Sequence, residues 1–124
     1  MRETKYWVWH MFAGMVILVL LGIHMSIIHL DILLAGFNSG GGDATDWVRV
    51  VARGRLLTFG IVYIALLATA LYHGLYGLRT ILLELEFKTE VHKLITILLL
   101  VTGICLFTLG AWVTATFYFS ANAL

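Results

Sequence analysis

From Leu56 to Leu78 the chain carries no Asp, Glu, Lys or Arg, and comparable apolar runs flank this one on both sides. That feature limits the fold more than any other. An α-helix rises ~1.5 Å per residue, so ~20 apolar residues cross the hydrocarbon of a bilayer. Pro is absent, so no helix is broken by one. The pattern predicts an all-α fold, a three-span transmembrane helix bundle forming one membrane domain over residues 1–124, with spans at about 10–36, 52–84 and 91–118. Composition agrees. The 124 residues are 61% hydrophobic and 12% charged, with mean hydropathy +0.98, too few charges to cover a soluble domain of this size. The solvent is therefore largely lipid.

The connections are short and polar. Arg2 and Lys5 precede Trp7 and Trp9, whose amphipathic rings suit headgroup depth. The first run is too long for a signal-peptide core, holds histidines and Asp31, and lacks a small-x-small cleavage site, so it is expected to remain as a span. Residues 37–46 contain Gly40, Gly41 and Gly42 with Asp43 and Asp46, a flexible loop in which Asp46 is placed to cap a following helix. Arg49, Arg53 and Arg55 come just before the second run. The second connection holds Arg79, Glu84, Glu86, Lys88, Glu90 and Lys93, and is expected to carry the helix beyond the lipid in large part. Trp112 and Tyr118 lie toward the far end of the third run. Arg2, Lys5, Arg79, Lys88 and Lys93 fall on one side of the membrane, against Arg49, Arg53 and Arg55 on the other. This bias favours a cytoplasmic N-terminus, with the C-terminus opposite.

All five histidines, His10, His24, His29, His73 and His92, lie in or beside apolar runs. Ionisable groups are costly in hydrocarbon and ask for partners, and imidazole is a standard haem ligand. His73 is the sharpest candidate. Gly77 follows at i+4 on the same face, and Glu84 lies eleven positions on, about 20° round the helix and ~16 Å along it. Such a face suits a flat macrocycle. It equally suits close helix packing, with His73 hydrogen-bonded to a neighbouring helix across Gly74 and Gly77. His10 and His24 share a face ~21 Å apart, whereas His29 points about 140° from His24, so those two cannot be neighbouring ligands of one metal. His24 is a candidate second haem ligand or a polar interhelical contact. His10 and His92, at the cytoplasmic edge of this topology, are candidates for haem propionates or a quinone oxygen, or they snorkel to the interface. Cys105 is expected to be a small packing residue.

At these residues the chain resembles the membrane-anchor subunits of succinate dehydrogenase and fumarate reductase, respiratory complex II. The stretch His73-Gly-Leu-Tyr-Gly77-Leu-Arg79 with Glu84 is similar to that family's second-helix pattern of haem-ligand His, Gly and cytoplasmic acid. Trp7-Val-Trp9-His10-Met-Phe-Ala-Gly14 resembles the start of its first helix, with Met11 where the pattern has Arg. Gly22-Ile-His24-Met25 is similar to the first-helix His of two-haem members. The resemblance implies a b-type cytochrome in the inner (cytoplasmic) membrane. It would hold one or two haem b groups shared with a second anchor subunit, and would assemble with flavoprotein and iron–sulfur subunits. Electrons would pass between the iron–sulfur subunit and membrane quinone. It implies His73 and His24 as iron ligands, and His10, Arg79 and Glu84 as residues toward haem or quinone, beside His92, which is a candidate by its position alone. Leu85 stands where one anchor type has a quinone-contacting Tyr, which implies that polar groups of the pocket come from the second anchor.

No HExxH, Cys/His finger spacing, nucleotide-binding glycine fingerprint or nucleophile elbow is present. The chain alone is not expected to turn over a soluble substrate. Two other readings stand beside the cytochrome. One is a haem-free structural anchor or small transport subunit whose histidines serve packing or proton relay. The other is a cytochrome b subunit of another quinone-linked dehydrogenase.

Overall fold

The structure is a computed structural model that describes residues 2–37, 46–85 and 88–123. They form four helices: α1 (Arg2–Phe37), α2 (Trp47–Gly54), α3 (Leu57–Leu83) and α4 (Thr89–Ala123). There is no strand among the described residues. Three helices are long and apolar enough to cross a membrane: the Thr4–Ile27 stretch of α1, 24 residues, α3, 27 residues, and α4, 35 residues. The chain is a multi-pass membrane protein. Most of the glycine-rich connection, residues 38–45, and Glu86 in the second connection lie outside the described residues.

The expected helical membrane architecture is present, but its interior is sparse. α3 packs on α1 and on α4, while α1 and α4 do not pack on each other among the described residues. His73 faces α1, and Leu75, about 200° round the helix, faces α4. The three long helices therefore stand in a row with α3 in the middle. Only Ala13 and Ala121 are buried among the described residues, while Leu18 is 74% exposed and Trp112 and Phe119 are 70% exposed. In water such a surface would aggregate; in lipid it is the solvent-facing side.

Neighbouring helices run antiparallel, so the start of α1, the end of α3 and the start of α4 share one end of the molecule. On the α3–α4 seam, Gly103 receives the end of Leu75, Gly110 receives Leu67, and Gly60 lies beneath Thr114. Gly103 and Gly110 are two turns apart on one stripe of α4, and the missing side chains let the backbones approach where no hydrophobic effect drives association. Hydroxyls on these helices are satisfied locally. Thr69, Thr80, Thr108, Thr114 and Thr116 each donate to the carbonyl four residues back at 2.8–3.0 Å. That removes the cost of a bare donor in hydrocarbon.

The second run differs from the expected 52–84. Residues 52–54 belong to the separate α2, and the helical path breaks at Arg55 and Leu56 before α3 begins. The reason lies in α2's pattern: Arg49 and Arg53 share one side of a short helix whose other positions are apolar or small, so it suits an interface better than the span. Gly54 lies against Phe117, Trp47 meets the same ring edge-on at 6.2 Å, and Arg55 Nε donates to the Ala121 carbonyl at 2.8 Å. These contacts fold α2 onto the end of α4. Asp46 is the residue before α2, and its carbonyl accepts from Val50 N–H at 3.0 Å, but its side chain makes no capping hydrogen bond. The second connection, residues 79–93, is helical in large part as expected, over 79–83 at the end of α3 and 89–93 at the start of α4, with α3 stopping at Leu83.

Candidate functional site: a histidine pair between two glycines

Two of the candidate residues meet at one point on the α1–α3 seam. The rings of His10 and His73 stack with centroids 4.1 Å apart and planes 5° from parallel. The contact has a repeated sequence basis. His10 and Gly14 are four apart on α1, and His73 and Gly77 are four apart on α3. Residues at that spacing lie one above the other on a helix face. Because the helices run antiparallel, each histidine lands on the other helix's glycine. A Cβ at Gly14 would sit 2.9 Å from His73 Cε1, and one at Gly77 would sit 3.3 Å from His10 Cε1. Two rings thus lie flat in the space left by two absent side chains. Gly74, by contrast, has nothing within 4 Å.

Hydrogen bonding distinguishes the two rings. His73 Nδ1 lies 3.1 Å from the His10 carbonyl oxygen. A carbonyl only accepts, so this contact selects the tautomer with the proton on Nδ1 and leaves a lone pair on Nε2. His10 Nδ1 is buried with no hydrogen-bond partner among the described residues. An unmet polar atom of this kind costs ~1–3 kcal/mol. Tyr76 leans on His10 at 5.1 Å and stacks on Tyr72 at 5.8 Å, and Tyr72 donates its hydroxyl to the Tyr6 carbonyl at 3.1 Å. The seam at this end is therefore made of rings.

The other candidates lie elsewhere. His24 is on the α3-facing side of α1, as its spacing from His10 requires, and meets Tyr63 edge-on at 5.5 Å. It borders a cleft of about 180 Å³ that Arg53, Thr58 and Phe59 also line. His29 is exposed. Arg79 is about 120° round α3 from His73 and turns toward α4, where its Nε donates to Thr96 Oγ1 at 3.2 Å. Thr96 in turn donates to the His92 carbonyl at 2.9 Å, and His92 Nε2 lies 3.2 Å from the Leu85 carbonyl. Glu84 closes α3 through its backbone N–H, bonded to the carbonyls of Thr80 and Ile81, and its carboxylate is exposed. So His10 and His73 come together, His24 stands apart near the opposite end, and Arg79 with His92 belongs to the α3–α4 side.

Gly14, Tyr63, Tyr72, Tyr76 and Thr96 are part of these arrangements without having stood out as site residues. The repeated His-x-x-x-Gly was the available signal for Gly14; the tyrosines and Thr96 show no pattern of their own in one sequence.

No group of three or more His, Cys, Asp or Glu side chains converges on one point among the described residues. The available chemistry is that of one or two imidazoles, which is what a haem iron takes from a protein. His73 fits that role, since its Nδ1–H is held by a carbonyl, the arrangement that fixes the tautomer and orientation of a ligating imidazole. His10 does not fit as second ligand to the same iron. Opposed axial ligands present nitrogens end-on across the metal, and these two rings are stacked face to face. Searches against protein-family models, curated proteins and solved structures find no match to the chain.

Proposed function

We infer that the chain is a haem b-binding membrane anchor of a succinate:quinone oxidoreductase, oriented with the start of α1 in the cytoplasm of an inner membrane. The observation that carries this reading is the His73 Nδ1 contact with the His10 carbonyl, which leaves Nε2 as a ligand atom in an apolar seam. His73 would hold the haem nearer the cytoplasm, with a partner anchor subunit supplying the rest of its ligands. His24, beside Arg53 and Tyr63, takes the same role for a distal haem where the complex holds two. When bound, the group supplies one-electron transfer between the iron–sulfur subunit and membrane quinone.

The chain's own part is positional. The His10 carbonyl holds the His73 ring in one tautomer, and Gly14 leaves room for it. The apolar seam keeps water from the imidazole, and Glu84 and His92, at the same end of the molecule, exchange protons with the aqueous phase for a quinone bound nearby. Flavoprotein and iron–sulfur subunits supply succinate oxidation or, in reverse, fumarate reduction.

The test is purification of the chain with its co-assembling subunits. The expected result is a reduced-minus-oxidised haem b spectrum, flavin in fixed ratio to haem, and loss of that spectrum with reduced assembly in His73→Ala. A haem spectrum unchanged by the substitution rejects His73 as ligand. Haem with companions other than a succinate-oxidising flavoprotein moves the chain to another quinone-linked dehydrogenase.

A second reading is favoured by the same seam. Two rings seated on two glycines are a sufficient packing device, so a haem-free anchor needs nothing further from His73. Wild-type complex without haem absorbance would establish it.

A further inference from the structure

The α3–α4 side of the molecule holds a groove of about 480 Å³ that the cytochrome reading does not use. Its walls are apolar, from Ala68 and Phe107 at one end, along Leu71, Leu75 and Leu100, to Arg79 and Thr96 at the other. Ala68 to Arg79 on α3 and Thr96 to Phe107 on α4 each span eleven helical steps, ~16 Å. That is about one leaflet of a ~30 Å hydrocarbon core. The groove therefore runs from the middle of the membrane to its edge.

Arg79 closes the outer end. Its guanidinium has five N–H donors, and Thr96 takes one of them. Among the described residues no carboxylate pairs with it: Glu90 holds Lys93 at 3.5 Å, and the Glu84 side chain has no partner there. A guanidinium at the rim of an apolar groove, with donors left over, is complementary to a phosphate. The end of the molecule to which Arg79 belongs also carries Lys5, Lys88 and Lys93.

We propose that this groove seats one acyl chain of an anionic phospholipid, with the phosphate of its headgroup on Arg79. The length of the groove selects a chain that begins at a leaflet surface. The unspent charge selects an anionic head over a neutral one. The site does not depend on whether His73 binds iron, and its test needs no turnover.

The full chain, with any subunits that co-purify, is placed in nanodiscs of equal phosphatidylglycerol and phosphatidylcholine, and retained lipid is counted by native mass spectrometry. The expected result is one retained phosphatidylglycerol, favoured about fivefold over phosphatidylcholine, the scale of one cation near a membrane surface. Arg79→Gln should bring that preference to about one, and Arg79→Lys should keep most of it. Ala68→Phe, which fills the inner end, should reduce retention of both lipids. Equal retention of the two lipids by the wild type overturns the proposal, as does an unchanged preference in Arg79→Gln. Displacement of the phosphatidylglycerol by an uncharged quinone at equal concentration also overturns it, because the groove would then be selecting tail and ring rather than charge.

Discussion

The two seams of α3 solve the same packing problem with different materials. Toward α4, leucines sit on glycines: Leu75 on Gly103 and Leu67 on Gly110. Toward α1, imidazoles sit on glycines: His73 on Gly14 and His10 on Gly77. The geometric device is common to both, since a missing Cβ admits a side chain from the facing helix. A leucine accomplishes this in lipid with no polar atom to satisfy. The α1 seam uses rings that bring nitrogens into hydrocarbon and leaves one of them, His10 Nδ1, without a partner among the described residues. Packing alone does not require that cost, so the α1 seam is where chemistry is to be sought and the α4 seam is where adhesion suffices.

The largest expected effect comes from closing the imidazole cradle. In Gly14→Val the first carbon of the new side chain already falls 2.9 Å from His73 Cε1 and 3.2 Å from its Nδ1, before the two methyl groups are added. The ring must leave or α1 must move away from α3. A cost of ~3 kcal/mol or more is expected, comparable to severe overpacking, together with loss of the His73–His10 contact. Thermal unfolding of the purified protein and its haem content should both fall. A Gly14→Val protein with normal stability would show that the two rings do not meet as described.

Next is His10→Phe, which separates the two uses of the seam. Phe keeps a flat ring over Gly77 and beside Tyr76 while removing the buried Nδ1, and the backbone carbonyl that holds His73 remains. If His10 serves packing only, stability should rise by about 1–3 kcal/mol, the cost of the unmet atom. If His10 binds a haem propionate or a quinone, stability changes little or rises while quinone reduction by the complex falls. Paired unfolding and turnover measurements distinguish the two, and a stability loss above ~1 kcal/mol would mean that Nδ1 has a partner in the assembled protein.

Much of the architecture was legible in the sequence because hydrocarbon imposes a simple rule. A run such as Leu56–Leu78 has to be helical, since no other local structure satisfies its backbone in lipid. The same rule gave His10 and His24 a common face, and both do face α3. What it did not reveal was α2. Arg53 and Arg55 mark the join before the apolar run, but the contacts with Phe117 and Ala121 that fold α2 onto the end of α4 carry no signal in one sequence. The helical period also separated the two glycines: Gly77, at i+4 from His73, shares its face and meets His10 of α1, whereas Gly74, the next residue, meets nothing within 4 Å. Arg79 illustrates a further limit: proximity in sequence associated it with His73, while its position ~120° round the helix turned it to α4 and Thr96. The helical period was available to separate them, but the neighbour on each side of α3 was not.

The smallest effects test whether a glycine is a cradle or merely a gap. Gly103→Ala places a Cβ 2.8 Å from Leu75 Cδ1, the far end of a flexible side chain that can turn aside. Gly74→Ala meets nothing within 4 Å. In both, alanine relieves the conformational freedom that glycine loses in a helix, roughly 0.5–1 kcal/mol. At Gly74 that gain stands alone, so a slight stabilisation is expected. At Gly103 it is offset by the shift of Leu75, so a change near zero or a loss of about 1 kcal/mol is expected. Unfolding both variants in the same detergent sets them on one scale. Should Gly74→Ala prove the more damaging, its open face is covered in the assembled complex. The row of helices would then continue past α3 into a partner at that point.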